Sequence, residues 1–288
     1  MYAIMGVTGQ VGGAIARTLL KDGHRLRAVL RDESKAGPWR DRGAEIAIAT
    51  VEDAAALSAA FAGAEGVFVM VPPDFAPDPD FSSARAAAAG VTASVVAARP
   101  KKIVALSSIG GQHQSGLGLI TQVHILEETL APIAIPTAIL RPGWFMENSA
   151  WDVQPARETG EMASFLHPLD KPYPMVATAD IGQVGALTLT QNWTGRRVIE
   201  IEGPKRYSQR EIASLLGTAV GRTVTAREIP RADWEARFQA GGTDRPAPRI
   251  EMLDGFNSGW IDFEPGRHEH VVGTTPFETV LADLVRLG

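Results

Sequence analysis

The stretch that decides the fold is Gly6-Val7-Thr8-Gly9-Gln10-Val11-Gly12-Gly13, near the start of the chain. The apolar run Tyr2–Met5 before it predicts a β-strand, and the apolar spacing of residues 10–22 predicts an amphipathic helix. Glycines spaced G-x-x-G-x-x-G between a strand and a helix are typical of the turn that binds phosphates in a βαβ unit. The sequence therefore predicts a dinucleotide-binding turn.

Three glycines of this turn have separate tasks. Gly6 permits the tight turn out of the strand, and Gly9 lets a pyrophosphate approach the backbone without a side chain in the way. Gly12 lets the helix pack closely against the sheet. Backbone N–H groups at the helix start would point at the phosphates, and the helix dipole favours their negative charge. A purely structural turn that binds nothing is the alternative interpretation.

Short β-rich runs alternate with helical patterns through the first half of the chain. The predicted strands cover 26–30, 44–49, 66–71, 102–107 and 137–140, and the predicted helices cover 54–61, 82–98 and 120–130. These strands are apolar on both faces, which suits a buried parallel sheet covered by helices. Repeated βα units predict an α/β fold with a Rossmann-type doubly wound parallel sheet.

Tryptophan and proline become common after about residue 144, which predicts a smaller C-terminal substrate lobe. We expect residues 1–143 to form the dinucleotide-binding Rossmann domain, rejoined by 178–202, and residues 144–177 and 203–288 to form the lobe. The later elements are predicted as helices at 180–190, 208–220, 231–240 and 279–287, strands at 197–201 and 224–229, and a Gly/Pro-rich loop at 241–249.

Composition excludes several classes of function. The 288 residues are 45% hydrophobic and 21% charged, with a net charge of -5, so nothing general favours direct binding to nucleic acid or to an anionic membrane. The absence of cysteine excludes disulfides, thiolate nucleophiles and cysteine metal sites, and the histidine spacing predicts no metal site. The first residues show no leader peptide and no run is long enough to span a bilayer, so we expect a cytoplasmic protein.

The end of the second strand discriminates between two dinucleotides. An acidic residue there binds the ribose hydroxyl of NAD, whereas an arginine accepts the additional phosphate of NADP. Arg31 stands at this position and Lys35 could assist, so the sequence favours NADP(H). A small shift of the strand end would make Asp32 the ribose ligand instead, which keeps NAD as the less favoured alternative.

Several stretches together resemble the NmrA-like family, which belongs to the atypical short-chain dehydrogenase/reductases. They are Gly6–Gly12, the strand end at Arg31, Val67-Phe68-Val69-Met70-Val71-Pro72-Pro73, Ala105-Leu106-Ser107-Ser108-Ile109-Gly110 and Ile139-Leu140-Arg141-Pro142-Gly143-Trp144-Phe145-Met146-Glu147-Asn148. The resemblance runs essentially from end to end, and its most specific part is Arg-Pro-Gly-x-Phe-Met-Glu-Asn.

The resemblance implies an NADP-binding Rossmann domain with a small substrate lobe. It implies cofactor contacts from Gly6, Thr8, Gly9, Gln10, Val11, Gly12 and Arg31, and from the strand ends at Val71, Pro72, Ser107 and Ser108. The loop around Pro142, Gly143 and Phe145 should lie near the nicotinamide. Ligands of open α/β sheets bind at the carboxyl ends of the strands, which agrees with these positions.

The usual catalytic residues of the resembling enzymes are missing. Ordinary short-chain dehydrogenases use Tyr-x-x-x-Lys, but the residues four positions after Tyr2, Tyr173 and Tyr207 are Gly6, Ala177 and Glu211. Many of the resembling reductases carry a lysine in the helix after the fifth strand, and here no lysine occurs between Lys102 and Lys171. Candidate replacements are His124, His113 and Ser108, although each histidine could be merely structural.

Trp144, Phe145, Met146 and Trp151 could form an aromatic wall for a flat substrate, or could be core between the lobes. We therefore expect an NADP(H)-dependent oxidoreductase that transfers hydride to a small aromatic, quinone-like or carbonyl substrate. The missing lysine and tyrosine keep one alternative open, a non-catalytic NADP(H)-binding redox sensor with a regulatory protein partner, as the resemblance implies. An epimerase or dehydratase with tightly held NAD is a third interpretation, and a homodimer is left open.

Overall fold

The computed structural model describes residues 1–287 and is built around one parallel sheet. The strands of this part are β1 (Tyr2–Met5), β2 (Leu26–Leu30), β3 (Glu45–Ile48), β4 (Gly66–Val69), β5 (Ile103–Leu106), β6 (Thr137–Pro142), β7 (Trp144–Phe145), β8 (Glu161–Ser164), β9 (Met175–Val176), β10 (Arg196–Glu202), β11 (Thr225–Glu228) and β12 (Glu269–Val272). The α-helices are α1 (Gln10–Lys21), α2 (Gly37–Arg40), α3 (Ala54–Phe61), α4 (Ser82–Ala98), α5 (Thr121–Leu130), α6 (Ala150–Thr159), α7 (Thr178–Thr190), α8 (Gln209–Val220), α9 (Trp234–Ala240), α10 (Ala247–Ser258) and α11 (Phe277–Leu287).

Eight strands form the main sheet, in the order β3-β2-β1-β4-β5-β6-β10-β12. Every neighbouring pair is parallel, and Ile4 of β1 lies between Ala28 of β2 and Phe68 of β4. The strand order reverses between β1 and β4, which is the switch point where open α/β sheets bind their ligands. The predicted Rossmann-type doubly wound fold is confirmed.

Successive residues of β1 contribute to two separate cores. Ile4 packs in the cluster that includes α1 and α7, and Ala3 and Met5 pack in the cluster that includes α3, α4 and α5. A strand covered on both faces must be apolar at every position, which is why these runs show no alternation. Full burial of a side chain such as Ile4 contributes about 1.5–3 kcal/mol, so both layers stabilise the sheet.

The second half of the chain contains elements that the sequence analysis does not predict, namely β7, α6, β8, β9, α10 and β12. One of these elements, β12, covers Glu269–Val272 and lies beside β10 at the edge of the main sheet. A segment of the predicted lobe range 203–288 therefore belongs to the sheet. Two of its four residues are polar, so the strand shows no apolar run. It is held by its pairing with β10 and by the ion pair of Arg197 with Glu269.

The predicted loop at 241–249 is also wrong in part, because α10 begins at Ala247 directly after Pro246. Its buried residues Ile250, Leu253 and Phe256 recur every three positions, which is a helical spacing. They join a cluster that also contains Trp234 of α9 and Ile109 and Ile120 from the edge of the sheet. This cluster places α10 over the carboxyl ends of β5 and β6.

A further apolar cluster joins α6, α8 and α11 through residues such as Val153, Ile212 and Phe277. It lies next to the sheet and completes the part of the chain that follows β6. Within residues 1–287, no helix has both the length and the apolar character that a bilayer crossing demands.

Candidate active site

A cavity of about 640 Å³ opens at the carboxyl edge of the sheet, where β1 and β4 diverge. The glycine turn borders one end of it, and residues of α10 and the loop after β6 border the other. Of the residues singled out from the sequence, the cavity is lined by Gly6, Thr8, Gly9, Gln10, Val11, Gly12, Arg31, Pro72, Ser108, Gly143, Trp144, Phe145 and Trp151. The fold thus brings most of the predicted cofactor and substrate residues to one space.

The glycine turn has the shape that the sequence predicts. Gly6 has a φ of +64°, a conformation that favours glycine, and its carbonyl oxygen accepts a hydrogen bond of 2.9 Å from the N–H of Gly9. A Cβ on Gly12 would lie 2.5 Å from the carbonyl oxygens of both Met5 and Gly6, so only glycine lets α1 begin there. Gly9 is the N-cap residue of α1, and no side chain accepts hydrogen bonds from the first N–H groups of the helix. These N–H groups are therefore available to bind a ligand anion.

Arg31 and Asp32 lie at the end of β2 with different roles. Arg31 is exposed and lines the cavity. The Asp32 carboxylate accepts hydrogen bonds from the backbone N–H of Ser34 at 2.9 Å and from its hydroxyl at 2.7 Å, and these bonds lower the pKa of Asp32. Asp32 therefore caps the short turn that follows, and it does not line the cavity. Lys35 lies in that turn, exposed and also outside the cavity lining.

The opposite end of the cavity is aromatic. Trp144 and Phe145 form β7, directly after β6, and Trp151 lies in the first turn of α6. The Trp144 ring meets Phe256 of α10 edge to face, with centroids 5.2 Å apart. Other apolar residues that line this region are Phe75, Leu119, Ile120 and Met252. A flat ring would find apolar surface on several sides here.

Several sequence candidates lie outside the cavity lining. Val71, Ser107, Pro142 and Met146 are buried, and Met146 belongs to the core shared by α6, α8 and α11. The Ser107 hydroxyl donates to the Glu127 carboxylate of α5, away from the cavity. Val71, Ser107 and Pro142 were chosen by their position at or next to strand ends, where alternate side chains point into the core. Met146 was chosen as part of the aromatic wall, and its side chain lies in a core cluster instead.

Neither histidine candidate lines the cavity. The Nδ1 of His124 is 2.9 Å from the carbonyl oxygen of Gly111, and its Nε2 is 3.4 Å from the carboxylate of Glu128. The ring of His113 stacks on Trp260 with centroids 3.9 Å apart. Both rings therefore hold loops in place, and of the three predicted proton donors only Ser108 lies on the cavity surface.

Glu147 and Asn148 belong to the most specific part of the resembling stretch, but only one of them borders the cavity. Asn148 lines the cavity. One carboxylate oxygen of Glu147 accepts hydrogen bonds from the Thr178 N–H at 2.8 Å and from its hydroxyl at 2.6 Å, at the start of α7. Burial raises the pKa of Glu147. Glu147 thus fixes the start of α7, which packs against α1 through Gly182 and Ala14.

The charged residues of the cavity lining are Arg31 and Arg249; no carboxylate, lysine, histidine or tyrosine of the described chain joins them there. Arg249, Met252 and Phe256 escaped the sequence prediction because their segment was assigned to a loop. The three-residue spacing of Ile250, Leu253 and Phe256 was the signal that could have found α10.

Relatives with curated names share much of this chain. NAD(P)H azoreductase of Xenophilus azovorans is 28% identical over 225 residues, which is 78% of this chain and 75% of that protein. Quinone oxidoreductase 2 of Escherichia coli strain K12 is 27% identical over 247 residues, 84% of this chain and 82% of that protein.

Solved structures show the same fold. The NADPH complex of the NADPH-dependent quinone oxidoreductase from Escherichia coli superposes with a TM-score of 0.81 at 24% identity, covering 99% of each chain. Triphenylmethane reductase of Citrobacter sp. complexed with NADP(H) gives a TM-score of 0.80 at 18% identity, covering 98% of this chain and 99% of that one. The sequence also matches the NmrA-like family over residues 2–241. Because this match spans well over half of its length, the chain belongs to the NmrA-like family.

Proposed function

We propose that this protein is an NADPH-dependent reductase that transfers a hydride to a flat aromatic or quinone-like acceptor. The observation that carries the proposal is one cavity with a glycine turn at one end and an aromatic wall at the other. Relatives named as an azoreductase and a quinone oxidoreductase support the same class of reaction.

The glycine turn fits a dinucleotide pyrophosphate. The N–H groups at the start of α1 are uncapped by any side chain, and Gly9 has no Cβ to obstruct an approaching phosphate. Arg31 would bind the additional phosphate of NADP, since its guanidinium can donate two parallel charge-assisted hydrogen bonds. Asp32 is held by Ser34, which disfavours its use as a ribose ligand for NAD.

The residues that line the cavity would position the substrate and exclude water from it, but they include few groups that can donate a proton. Bound NADPH would supply the hydride. Trp144, Phe145 and Trp151 would hold the acceptor ring and exclude water from its faces. Ser108 offers a hydroxyl on the cavity surface, and water must supply the remaining protons because no strong acid of residues 1–287 lines the cavity. Acceptors that spread the incoming charge over a conjugated system suit such a site better than isolated carbonyls do.

Different segments of the chain would bind the cofactor and the substrate. We infer that residues 1–143 with 178–202 hold the cofactor. Residues 144–177 and 203–287, apart from the sheet strand β12, then bind the substrate. We infer that the protein acts on small molecules in the cytoplasm. A non-catalytic redox sensor is the second candidate, and the absence of a carboxylic acid, histidine, lysine or tyrosine among the described lining residues favours it.

Turnover separates the two candidates. Purified protein is mixed with excess NADPH and a series of quinones and azo dyes, and NADPH oxidation is followed by its absorbance. The proposal predicts many turnovers per protein chain with at least one acceptor class, and faster reaction with NADPH than with NADH. Tight binding of both NADPH and NADP⁺ without any oxidation would instead establish the sensor.

A further inference from the structure

Arg249 is a charged side chain that pairs with no acidic group of residues 1–287. It lies on α10, lines the cavity, and is partly buried. Its guanidinium carbon is 4.5 Å from the ring centroid of Phe238 and 5.7 Å from that of Trp151. No acidic side chain within residues 1–287 forms a salt bridge or hydrogen bond with it.

Two neighbouring arginines form ion pairs with aspartates. Arg245, just before α10, pairs with Asp78, and Arg231 donates two hydrogen bonds of 2.8 Å to Asp254 of α10. Burial without such a partner lowers the pKa of Arg249. Partial burial of an unpaired charge costs free energy, so its retention inside a cavity points to a ligand that supplies the missing charge.

The position of Arg249 indicates which ligand. It adjoins the aromatic end of the cavity, in contact with Trp151 and on the same helix as Phe256. The phosphates of a dinucleotide have their own groups at the other end, namely the glycine turn and Arg31. The anion that meets Arg249 therefore belongs to the molecule that occupies the aromatic end.

We propose that Arg249 binds an anionic substituent, a carboxylate or a sulfonate, on an aromatic acceptor held between the rings of the cavity. This inference rests on the proposed function for the nature of the ring, and adds that the preferred substrates are aromatic acids. A guanidinium matches both anions, since each presents two oxygens to its parallel N–H groups. The ring of the ligand would lie against Trp151 and Phe256, beside the charge.

A matched pair of ligands tests the proposal. Azobenzene-4-carboxylate and its uncharged carboxamide are titrated into protein saturated with NADP⁺, so that binding is measured without turnover. The variants are Arg249→Gln, Arg249→Lys and, as a control of equal charge change, Arg286→Gln, which alters an exposed arginine of α11 paired with Asp283. The same pair is then compared as acceptors with NADPH.

We expect the wild type to prefer the carboxylate, and Arg249→Gln to weaken its binding about 10-fold to 100-fold while leaving the carboxamide nearly unchanged. Arg249→Lys should retain part of the preference, and Arg286→Gln all of it. Equal losses for both ligands, no preference in the wild type, or no binding of either ligand would overturn the proposal. Weaker NADP⁺ binding in Arg249→Gln would also overturn it, by assigning Arg249 to the cofactor. If the carboxylate binds in a way that depends on Arg249 but NADPH is not oxidised, the proposed reductase activity is wrong and this inference stands.

Discussion

Gly12 lies so close to Gly6 that a Cβ at position 12 would be 2.5 Å from the Gly6 carbonyl oxygen. The contact fixes the first turn of α1 directly over the end of β1. Because the same turn exposes the N–H groups that would bind phosphate, packing and ligand binding depend on neighbouring glycines of one short stretch.

Gly12→Ala should therefore destabilise the fold. The backbone oxygens that the new methyl group meets cannot move away as a flexible side chain would, and the overpacking should cost about 1–3 kcal/mol in the free energy of unfolding by urea. Gly9→Ala is the control, because its Cβ would approach only the Gly6 oxygen, at 3.3 Å. That variant should stay folded and bind NADPH more weakly. Equal stability of the two variants would contradict this assignment of roles.

The buried ion pair of Glu127 and Arg141 should stabilise the packing of α5 against β6. Glu127 is 5% exposed and Arg141 is 6% exposed, and two hydrogen bonds of 2.7 and 2.9 Å join them. Glu127→Ala leaves a buried guanidinium unpaired, which should lower the free energy of unfolding by about 3–5 kcal/mol. The adjacent Glu128→Ala removes an exposed carboxylate and should change it little. Similar melting temperatures for both variants would refute the role of the pair.

Arg31 should determine the choice of dinucleotide. Arg31→Ala should weaken NADPH binding by about 1–3 kcal/mol, the cost of losing a charge-assisted contact. NADH lacks the phosphate, so its affinity should hardly change. Lys35→Ala serves as control, since Lys35 is exposed but does not line the cavity. Calorimetric titration gives both affinities, and parallel losses for NADPH and NADH would remove Arg31 from phosphate binding.

Asp152 should make stability depend on pH. Burial raises the pKa of its carboxyl from 3.8 to about 7, so the folded state holds a proton that the unfolded state releases. Its favourable contribution is complete below the lower value and is lost as the pH rises through the upper one. Asp152→Asn keeps an uncharged side chain, and should gain roughly 1–3 kcal/mol over the wild type at about pH 8 and little at about pH 4. Urea denaturation at both pH values measures this, and parallel curves would contradict it.

The sequence predicted most of the sheet because its strands are local apolar runs. Helices 54–61 and 82–98 begin and end where expected, since alanine-rich stretches between turns leave few alternatives. β12 escaped prediction because its stability comes from pairing with β10, across more than sixty residues of chain. α10 escaped because its proline-rich start outweighed the spacing of Ile250 and Leu253.

The cofactor half of the site was easier to predict than the substrate half. A backbone turn leaves its glycines in the sequence, so the cavity-lining residues from Gly6 to Gly12 were found directly. Side chains such as Arg249 and Phe256 reach the cavity because α10 packs over it. The apolar spacing of α10 marks a helix but does not say where that helix packs. His113 and His124 were chosen by chemistry alone, and the fold places their rings against Trp260 and the Gly111 carbonyl oxygen, outside the cavity lining.

The most direct test uses NADPH carrying deuterium on one or the other face of the nicotinamide C4, with a quinone or azo acceptor. A cavity that holds cofactor and acceptor in one fixed order should transfer hydrogen from a single face, so one labelled form should react more slowly and the other at the normal rate. Identical rates for both labelled forms and the unlabelled cofactor in a step limited by chemistry, or no oxidation of NADPH at all, would contradict direct hydride transfer in this site.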